Sequence, residues 1–201
     1  MSDSPRSDLH TSHTMFDRLR SPDEKSKQLA WEDFRDRYAP VVAGFARNLG
    51  ASSQDVDDII QDVFLRLLVA MPKFEYDPAR GRFRGYLKVM TLNVIRSRMG
   101  QRARINTVPL SQLRDDEEPL EEHWSTIWEQ HVLKRAIEVV RRAHAGSPRT
   151  FQAFEQYVIL DHPAEEVARS LGMSVDSVYQ AKLRITSAIR NAVKELKLTD
   201  E

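Results

Sequence analysis

The fold is organised around residues 77 to 104, which read DPARGRFRGYLKVMTLNVIRSRMGQRAR. After Asp77 this stretch has no acidic residue, although the 30 basic and 30 acidic residues of the whole chain cancel. Its basic residues are Arg80, Arg82, Arg84, Lys88, Arg96, Arg98, Arg102 and Arg104. Apolar residues recur between them at helical spacing, which predicts a helix that buries one side and turns the arginines and Asn93 outward. A solvated charged face normally mixes both signs, so this face favours contact with nucleic acid.

Length and composition limit the class of protein. At 201 residues the chain is long enough for one large or two small domains, and we expect two. A hydrophobic fraction of 41% beside 30% charged residues is typical of a globular protein. The sequence has no cysteine, which excludes disulfides and thiolate zinc sites. Without a long apolar run or an apolar signal-peptide core, we expect a cytoplasmic protein with no membrane partner.

The N-terminal part predicts a tail followed by two helices. Residues 1 to 13 lack periodicity and are predicted to be disordered. The sequence Ser21-Pro22-Asp23 predicts a helix start with Pro22 in the first turn. A second helix is predicted to begin at Pro40, and Gly50 suits the left-handed residue that ends it. The apolar stripes are Leu29, Ala30, Trp31, Phe34 and Tyr38 in the first helix, and Val41, Val42, Phe45, Ala46 and Leu49 in the second.

The next predicted helix has an acidic face. It starts with a capping-box-like sequence, Ser52 to Asp55. Its apolar face consists of Val56, Ile59, Ile60, Val63, Phe64, Leu67 and Leu68. The spacing of Asp55, Asp58 and Asp62 stacks them along the other face, beside Gln61. No paired histidine accompanies these carboxylates, so simple solvation and docking of another protein remain as the two interpretations.

Two prolines, Pro72 and Pro78, predict a break and a short aromatic loop before the basic helix. Phe74 and Tyr76 lie in this loop, close in sequence to the arginines. Aromatic rings beside cations suit single-stranded nucleic acid, because the rings stack on bases while the cations neutralise phosphates. Burial in the core is the alternative, and we expect it for Phe83 and Tyr86 but leave both interpretations open for Phe74 and Tyr76.

Periodicity fails from 105 to about 123, where acidic residues and prolines predict an extended linker and a domain boundary. Helices are predicted from Trp124 to a break at Gly146 and from Arg149 to Leu160. The last segment has the spacing of a helix-turn-helix, with a turn at Gly172. In the first of its helices Val167, Ala168 and Leu171 point inward, and in the second Val178, Ala181, Ile185, Ile189, Ala192 and Val193 share the buried face. Ser174 caps the second helix, and its outward residues are Asp176, Ser177, Gln180, Leu183, Arg184 and Ser187.

Two parts of the chain resemble a known family. SSQDVDDIIQDVFLRLL and FRGYLKVMTLNVIRSRMGQRAR are similar to region 2 of bacterial sigma factors of the extracytoplasmic-function type, and LDHPAEEVARSLGMSVDSVYQAKLRITSAIR resembles their region 4. The resemblance implies an all-α protein with region 2 at 14–104, a linker at 105–123 that is too short for a folded middle domain, and region 4 at 124–201. The chain departs from the pattern at Tyr179, where a basic residue is usual, and at the outward Leu183.

The resemblance also implies partners and roles. Core RNA polymerase would bind through its β′ clamp helices and its β flap, and promoter DNA would be the other partner. Whether an anti-sigma protein also binds is left open. The residues that would dock on the clamp helices are Asp55, Asp58, Gln61 and Asp62. The minus-ten element would be recognised by Ala70, Phe74, Tyr76, Arg82, Arg84, Lys88, Asn93, Arg96 and Arg98, with Ala70, Phe74 and Asn93 around a flipped base. The minus-thirty-five element would be read by Ser174, Ser177, Gln180, Leu183 and Arg184. No cofactor and no catalytic residue is implied, and the protein would be cytoplasmic and associated with the nucleoid.

Three other functions would account for parts of the sequence. A helix-turn-helix regulator that acts without polymerase would also carry Gln180 and Arg184, but it would not need the acidic helix. A metal-dependent hydrolase could use the aspartates, or His123 and His131, but the histidines are not one turn apart and no phosphate-binding loop is present. A helical RNA-binding or scaffolding protein would not need a groove-reading helix.

Overall fold

The computed structural model describes residues 12–73, 83–106 and 117–200, and within them all regular structure is helical, as predicted. The α-helices are α1 (Ser12–Leu19), α2 (Glu24–Asn48), α3 (Ser53–Ala70), α4 (Phe83–Asn106), α5 (Glu117–Ala143), α6 (Pro148–Phe154), α7 (Ala164–Leu171) and α8 (Val175–Asp200). A 3-10 turn, Met71–Lys73, follows α3, and a π-helix, Glu155–Ile159, follows α6. The predicted N-terminal tail lies outside the described residues, apart from the start of α1.

The described chain divides into two compact units, which we call the N-terminal unit (residues 12–131) and the C-terminal unit (residues 132–199). The division falls within α5. The assignment of functional regions to 14–104 and 124–201 stays a prediction.

The helix α2 begins and continues differently from the prediction. Asp23 is its N-cap and accepts a hydrogen bond from the backbone N of Ser26 at 2.8 Å, so Pro22 lies outside the first turn. The predicted helix start at Pro40 is wrong, because α2 runs through Pro40. Proline in a helix removes one backbone hydrogen bond, but the buried residues on both sides, such as Tyr38 and Val41, continue one packed face and offset that loss. The helix does end as predicted, since Gly50 has a φ of 86°.

Aromatic rings of α2 and α4 meet at the centre of the N-terminal unit. The ring of Phe83, at the start of α4, lies 5.6 Å from that of Phe34 and 5.2 Å from that of Tyr38. Phe34 and Tyr38 are fully buried, and Phe83 is 2% exposed. The prediction of a core position is therefore confirmed for Phe83, while Tyr86 is half-buried. These contacts fix the first turn of the basic helix.

The first half of α5 completes this core. The Trp124 ring lies 5.0 Å from Phe45, and the Trp128 ring lies 6.0 Å from Tyr38. Both tryptophans are buried, although the sequence groups them with the C-terminal segment. The linker was predicted to stay extended as far as residue 123, but α4 continues to Asn106 and α5 begins at Glu117. Both ends of that segment are thus helical, and residues 107–116 lie outside the described residues.

The C-terminal unit contains the predicted pair of helices. The helix predicted from Arg149 to Leu160 consists of α6 and the π-helix. Between α7 and α8, Gly172 has a φ of 63°, and Met173 donates its backbone N–H to Ala168 at 2.9 Å. The core that holds the pair consists of Ala153, Ala164, Val167, Ala168, Val178 and Ala181. The short turn and this shared core hold α7 and α8 in one unit.

Candidate nucleic-acid interface

The start of α3 is fixed by the predicted capping interaction. The Oγ of Ser52 accepts a hydrogen bond from the backbone N of Asp55 at 3.3 Å and donates to its Oδ2 at 2.5 Å. Asp55 therefore lies in the first turn, where a carboxylate also complements the helix dipole.

The acidic face of α3 contacts the basic helix α4. The Nε of Arg98 donates to Oδ2 of Asp62 at 2.7 Å, and its Nη1 donates to Oδ2 of Asp58 at 2.8 Å. These hydrogen bonds, first the one to Asp62, raise the pKa of the Arg98 guanidinium. All three side chains stay about one third to one half exposed. The carboxylates are thus partly neutralised within the unit and still accessible to a partner.

Beyond the carboxylates, α3 exposes apolar side chains. Leu65, Leu68 and Val69 are 59%, 45% and 80% exposed. Leu68 was predicted to be buried, but the buried stripe is narrower and consists of Val56, Ile59, Val63 and Leu67. Gln61 is exposed on the same helix, and Ala70 is half-buried at its end. The sequence prediction missed this exposed strip because it assigned Leu68 to the buried face and gave Leu65 and Val69 no role.

Two predicted DNA contacts on α4 are engaged by Glu121 of α5. Nη2 of Arg84 lies 3.7 Å from Oε1 of Glu121, and Nζ of Lys88 donates to Oε2 of the same carboxylate. Arg84 also donates to Oγ of Ser125 at 2.6 Å, and its Cζ lies 5.6 Å from the centroid of the Trp128 ring. The hydrogen bond from Lys88 is the main cause that lowers the pKa of Glu121. This internal partner was not foreseen, because residues 105–123 were interpreted as a solvated linker.

The other predicted minus-ten residues have different surroundings. Asn93 is exposed on α4, and Arg96 is half-buried. Phe74, Tyr76 and Arg82 lie outside the described residues. The structure thus places Arg84, Lys88, Asn93, Arg96 and Arg98 on one helix.

In the C-terminal unit, the first turn of α8 is capped as predicted. The Oγ of Ser174 accepts from the backbone N of Ser177 at 3.1 Å, and the two hydroxyl groups are 2.8 Å apart. Gln180, Leu183 and Arg184 are exposed on the face opposite the buried Val178 and Ile185. The sequence therefore placed these outward side chains correctly.

A cluster at the flank of α8 was missed by the sequence interpretation. The ring of Tyr157, in the π-helix, lies 5.7 Å from that of Tyr179. Nζ of Lys182 lies 5.3 Å from the centroid of the Tyr157 ring. Gln156, also in the π-helix, accepts a hydrogen bond from Ser170 of α7 at 3.0 Å. Segment 155–159 therefore braces both helices, and periodicity alone gave no signal of this.

The described residues do not offer a metal-binding group of three or more histidine and carboxylate side chains. His131, which a hydrolase could have used, is buried with its ring 6.5 Å from that of Trp128, while His123 is exposed. Among the helices described, none combines the length and apolar character of a membrane span.

In a comparison with known families, residues 34–105 match the family described as Sigma-70 region 2. The matched segment includes the acidic face of α3 and nearly all of α4. It supports a sigma factor of the sigma-70 family, with a role in transcription initiation. Region 2 domains of this family bind core RNA polymerase and promoter DNA, and the family is not enzymatic. A comparison with curated proteins found no match.

Proposed function

We propose that this chain is a two-domain sigma factor of the extracytoplasmic-function type, which directs core RNA polymerase to specific promoters. Its region 2 would melt the minus-ten element and its region 4 would read the minus-thirty-five element. The observation that carries the proposal is the combination of the sigma-70 region 2 match with a separate C-terminal unit in which α7 and α8 flank a short glycine turn. Only residues 107–116 separate α4 from α5, which is too few for a folded middle domain.

Docking on core polymerase is assigned to the acidic face of α3. Asp55, Asp58, Gln61 and Asp62 would contact the β′ clamp helices. Support comes from the exposed parts of Asp58 and Asp62, which are 51% and 36%, and from the apolar strip on the same helix. A charged rim beside exposed apolar residues is typical of a protein interface.

Recognition and opening of the minus-ten element are assigned to α4 and the preceding loop. Asn93 would contact a flipped base together with Ala70 and Phe74, while Tyr76 would stack on a neighbouring base. The cations Arg82, Arg84, Lys88, Arg96 and Arg98 would contact the backbone. The helix α4, Phe83–Asn106, has no acidic residue of its own, which supports a polyanionic partner.

Reading of the minus-thirty-five element is assigned to α8, with its unit on the β flap. Gln180 and Arg184 suit bidentate contacts with adenine and guanine edges, and Leu183 suits an apolar contact with a thymine methyl group. Ser174 and Ser177 lie at the N-terminus of the helix, where backbone N–H and hydroxyl groups suit contacts with phosphate. An anti-sigma partner and a nucleoid-associated, cytoplasmic location are consistent with this function and are left as proposals.

The test is reconstitution with core RNA polymerase. The purified chain should co-elute with core polymerase in gel filtration, and the complex should produce run-off transcripts from a limited set of genomic fragments. A stand-alone regulator would instead bind DNA fragments without polymerase and would give no transcript. Failure to bind core polymerase under conditions where the chain is folded would contradict the proposal.

A further inference from the structure

Glu121, in the second turn of α5, faces two basic residues of α4 at once. Arg84 and Lys88 are four residues apart and therefore share one face of α4. Both reach the Glu121 carboxylate, Arg84 through Nη2 and Lys88 through Nζ. The side chains of Arg84 and Lys88 are 24% and 25% exposed, whereas that of Glu121 is 52% exposed. Two partly covered cations thus converge on a carboxylate that solvent reaches more easily.

The surrounding groups hold the Arg84 guanidinium in place. Ser125 holds the Arg84 guanidinium with a hydrogen bond of 2.6 Å, and the Trp128 ring covers it at 5.6 Å. The Oγ of Ser125 also donates to Oε1 of Glu121 at 3.4 Å. A fixed guanidinium, an ammonium group and a hydroxyl are the donors that proteins use for phosphate. A phosphodiester resembles a carboxylate in presenting two anionic oxygens.

We propose that Arg84, Lys88 and Ser125 form one phosphodiester-binding site and that Glu121 is an internal competitor which nucleic acid must displace. The inference rests on the proposed function, since it specifies how the basic face of α4 takes up promoter DNA. Only the Glu121 side chain has to move, because the buried Trp124 and Trp128 keep α5 packed in the N-terminal unit.

The charge of Glu121 suits it to this competition. Its pKa is lowered by the hydrogen bond from Lys88 and by the charges of Lys88 and Arg84, so the carboxylate is ionised at neutral pH. Phosphate contacts carry no sequence information, so the competitor reduces binding to every sequence alike and leaves base selectivity unchanged. The consequence is weak binding of nonspecific nucleic acid by a helix that is otherwise strongly cationic.

The test measures the affinity of the full chain for a fluorescein-labelled, mixed-sequence, single-stranded oligodeoxynucleotide by anisotropy over a KCl series. Glu121→Gln should tighten binding roughly three- to tenfold, because two part-exposed ion pairs no longer have to be broken. Glu121→Asp keeps the charge but shortens the reach by one methylene, and it should give much of the same gain. Glu122→Gln removes the same charge at an exposed neighbouring position and should change affinity by less than about twofold.

The pairing is checked in a background that lacks both cations. With Arg84→Gln and Lys88→Gln present, the gain from Glu121→Gln should disappear, as a double-mutant cycle requires for a direct interaction. Equal gains in affinity from Glu121→Gln and Glu122→Gln, or a gain that persists without the two cations, would overturn the role of Glu121 as competitor. Neither result would bear on the phosphate site itself. If no variant binds the oligonucleotide, the phosphate site is overturned, and run-off transcription with core polymerase reports separately on the proposed function.

Discussion

The guanidinium of Arg98 on α4 is hydrogen-bonded to Asp62 on α3, with 2.7 Å between Nε and Oδ2. The resemblance assigns Arg98 to DNA and Asp62 to polymerase, so the two proposed surfaces share an ion pair. A partner that approaches either residue changes the electrostatic environment of the other. Lysine at both Asp58 and Asp62 would place three cations together, because both positions contact Arg98. Neutral substitutions avoid that repulsion.

Neutral substitution on α3 tests the polymerase surface. Asp58→Asn combined with Asp62→Asn should weaken association with core polymerase, mainly by slowing the association rate, and the loss should be greatest at low salt. The stability of the domain should fall by no more than about 1 kcal/mol, because the lost pairs with Arg98 are part-exposed. Surface plasmon resonance at several salt concentrations measures the rates.

Asp57→Asn supplies the matched control for the polymerase surface. Asp57 is exposed on the same helix but lies about 100° around the axis from Asp58. Association of the Asp57 variant should be nearly unchanged. Equal effects from both sets of variants would show that only the net charge of α3 matters and would remove the assignment of Asp58 and Asp62.

The packing of α5 predicts a large stability effect outside the matched region 2 segment. Trp124→Ala should lower the free energy of unfolding of the N-terminal unit by roughly 3 to 5 kcal/mol, because the side chain is fully buried against Phe45. Gln130→Ala, at an exposed position of α5 within the same unit, should change that free energy by less than about 0.5 kcal/mol. Denaturant unfolding measures the loss of stability, and hydrogen exchange should locate it in α2. An unchanged stability of Trp124→Ala would contradict the packing of Trp124 against Phe45.

The sequence predicted most local features of the fold and site, for physical reasons that can be traced. Capping at Ser52 and Ser174 and the left-handed glycines Gly50 and Gly172 depend on a few neighbouring residues, and the structure has each of them. The helix through Pro40 was missed because tertiary packing outweighed the local penalty of proline.

Long-range pairing was harder to predict. The contacts of Glu121 with Arg84 and Lys88 depend on how the helices pack. The same is true of the contacts of Arg98 with Asp58 and Asp62. A single sequence gives no signal of which helices lie next to each other. Acidic residues near 105–123 therefore looked like solvated linker, although Glu121 lies in a helix against α4. Charge along the chain located the basic helix but not the acidic groups that pair with it.

The pair between Glu121 and Lys88 predicts a pH effect. The pKa of Glu121 is lowered from its ordinary value of 4.5, chiefly by the hydrogen bond from Lys88. A carboxyl group whose pKa is lower in the folded state stabilises the fold above its unfolded pKa, and that contribution is lost as the pH falls through the folded pKa. The stability difference between wild type and Glu121→Gln should be constant near neutral pH and shrink below 4.5. Denaturant unfolding of both proteins over an acidic pH series measures it, and a flat difference would contradict the pair.

Base reading by α8 is tested at Arg184. Arg184→Ala should cost roughly 1 to 3 kcal/mol at a preferred duplex and relax selectivity at one base pair. Arg190→Ala, exposed farther along the same helix, should leave that selectivity intact. Binding of the holoenzyme to a library of duplexes measures both quantities. Equal losses on every sequence would make Arg184 a phosphate contact instead.

Opening of the minus-ten element is tested at Asn93 and Phe74. Asn93 is exposed, so Asn93→Ala should reduce open-complex formation on duplex promoter without a loss of stability or of core binding. A template already mismatched over the element should rescue much of the defect, since the protein no longer has to unpair the base. Ser97→Ala, one turn farther along the exposed side of α4, is the control.

Phe74 separates the pocket interpretation from burial in the core. If Phe74 lines the pocket, Phe74→Ala should behave like Asn93→Ala, with the same rescue by a pre-opened template. If it is a core residue, the substitution should instead lower stability by roughly 3 to 5 kcal/mol and harm both templates alike. Thermal melting combined with run-off assays on duplex and pre-opened promoters distinguishes the two, because a destabilised variant without template rescue is compatible only with burial.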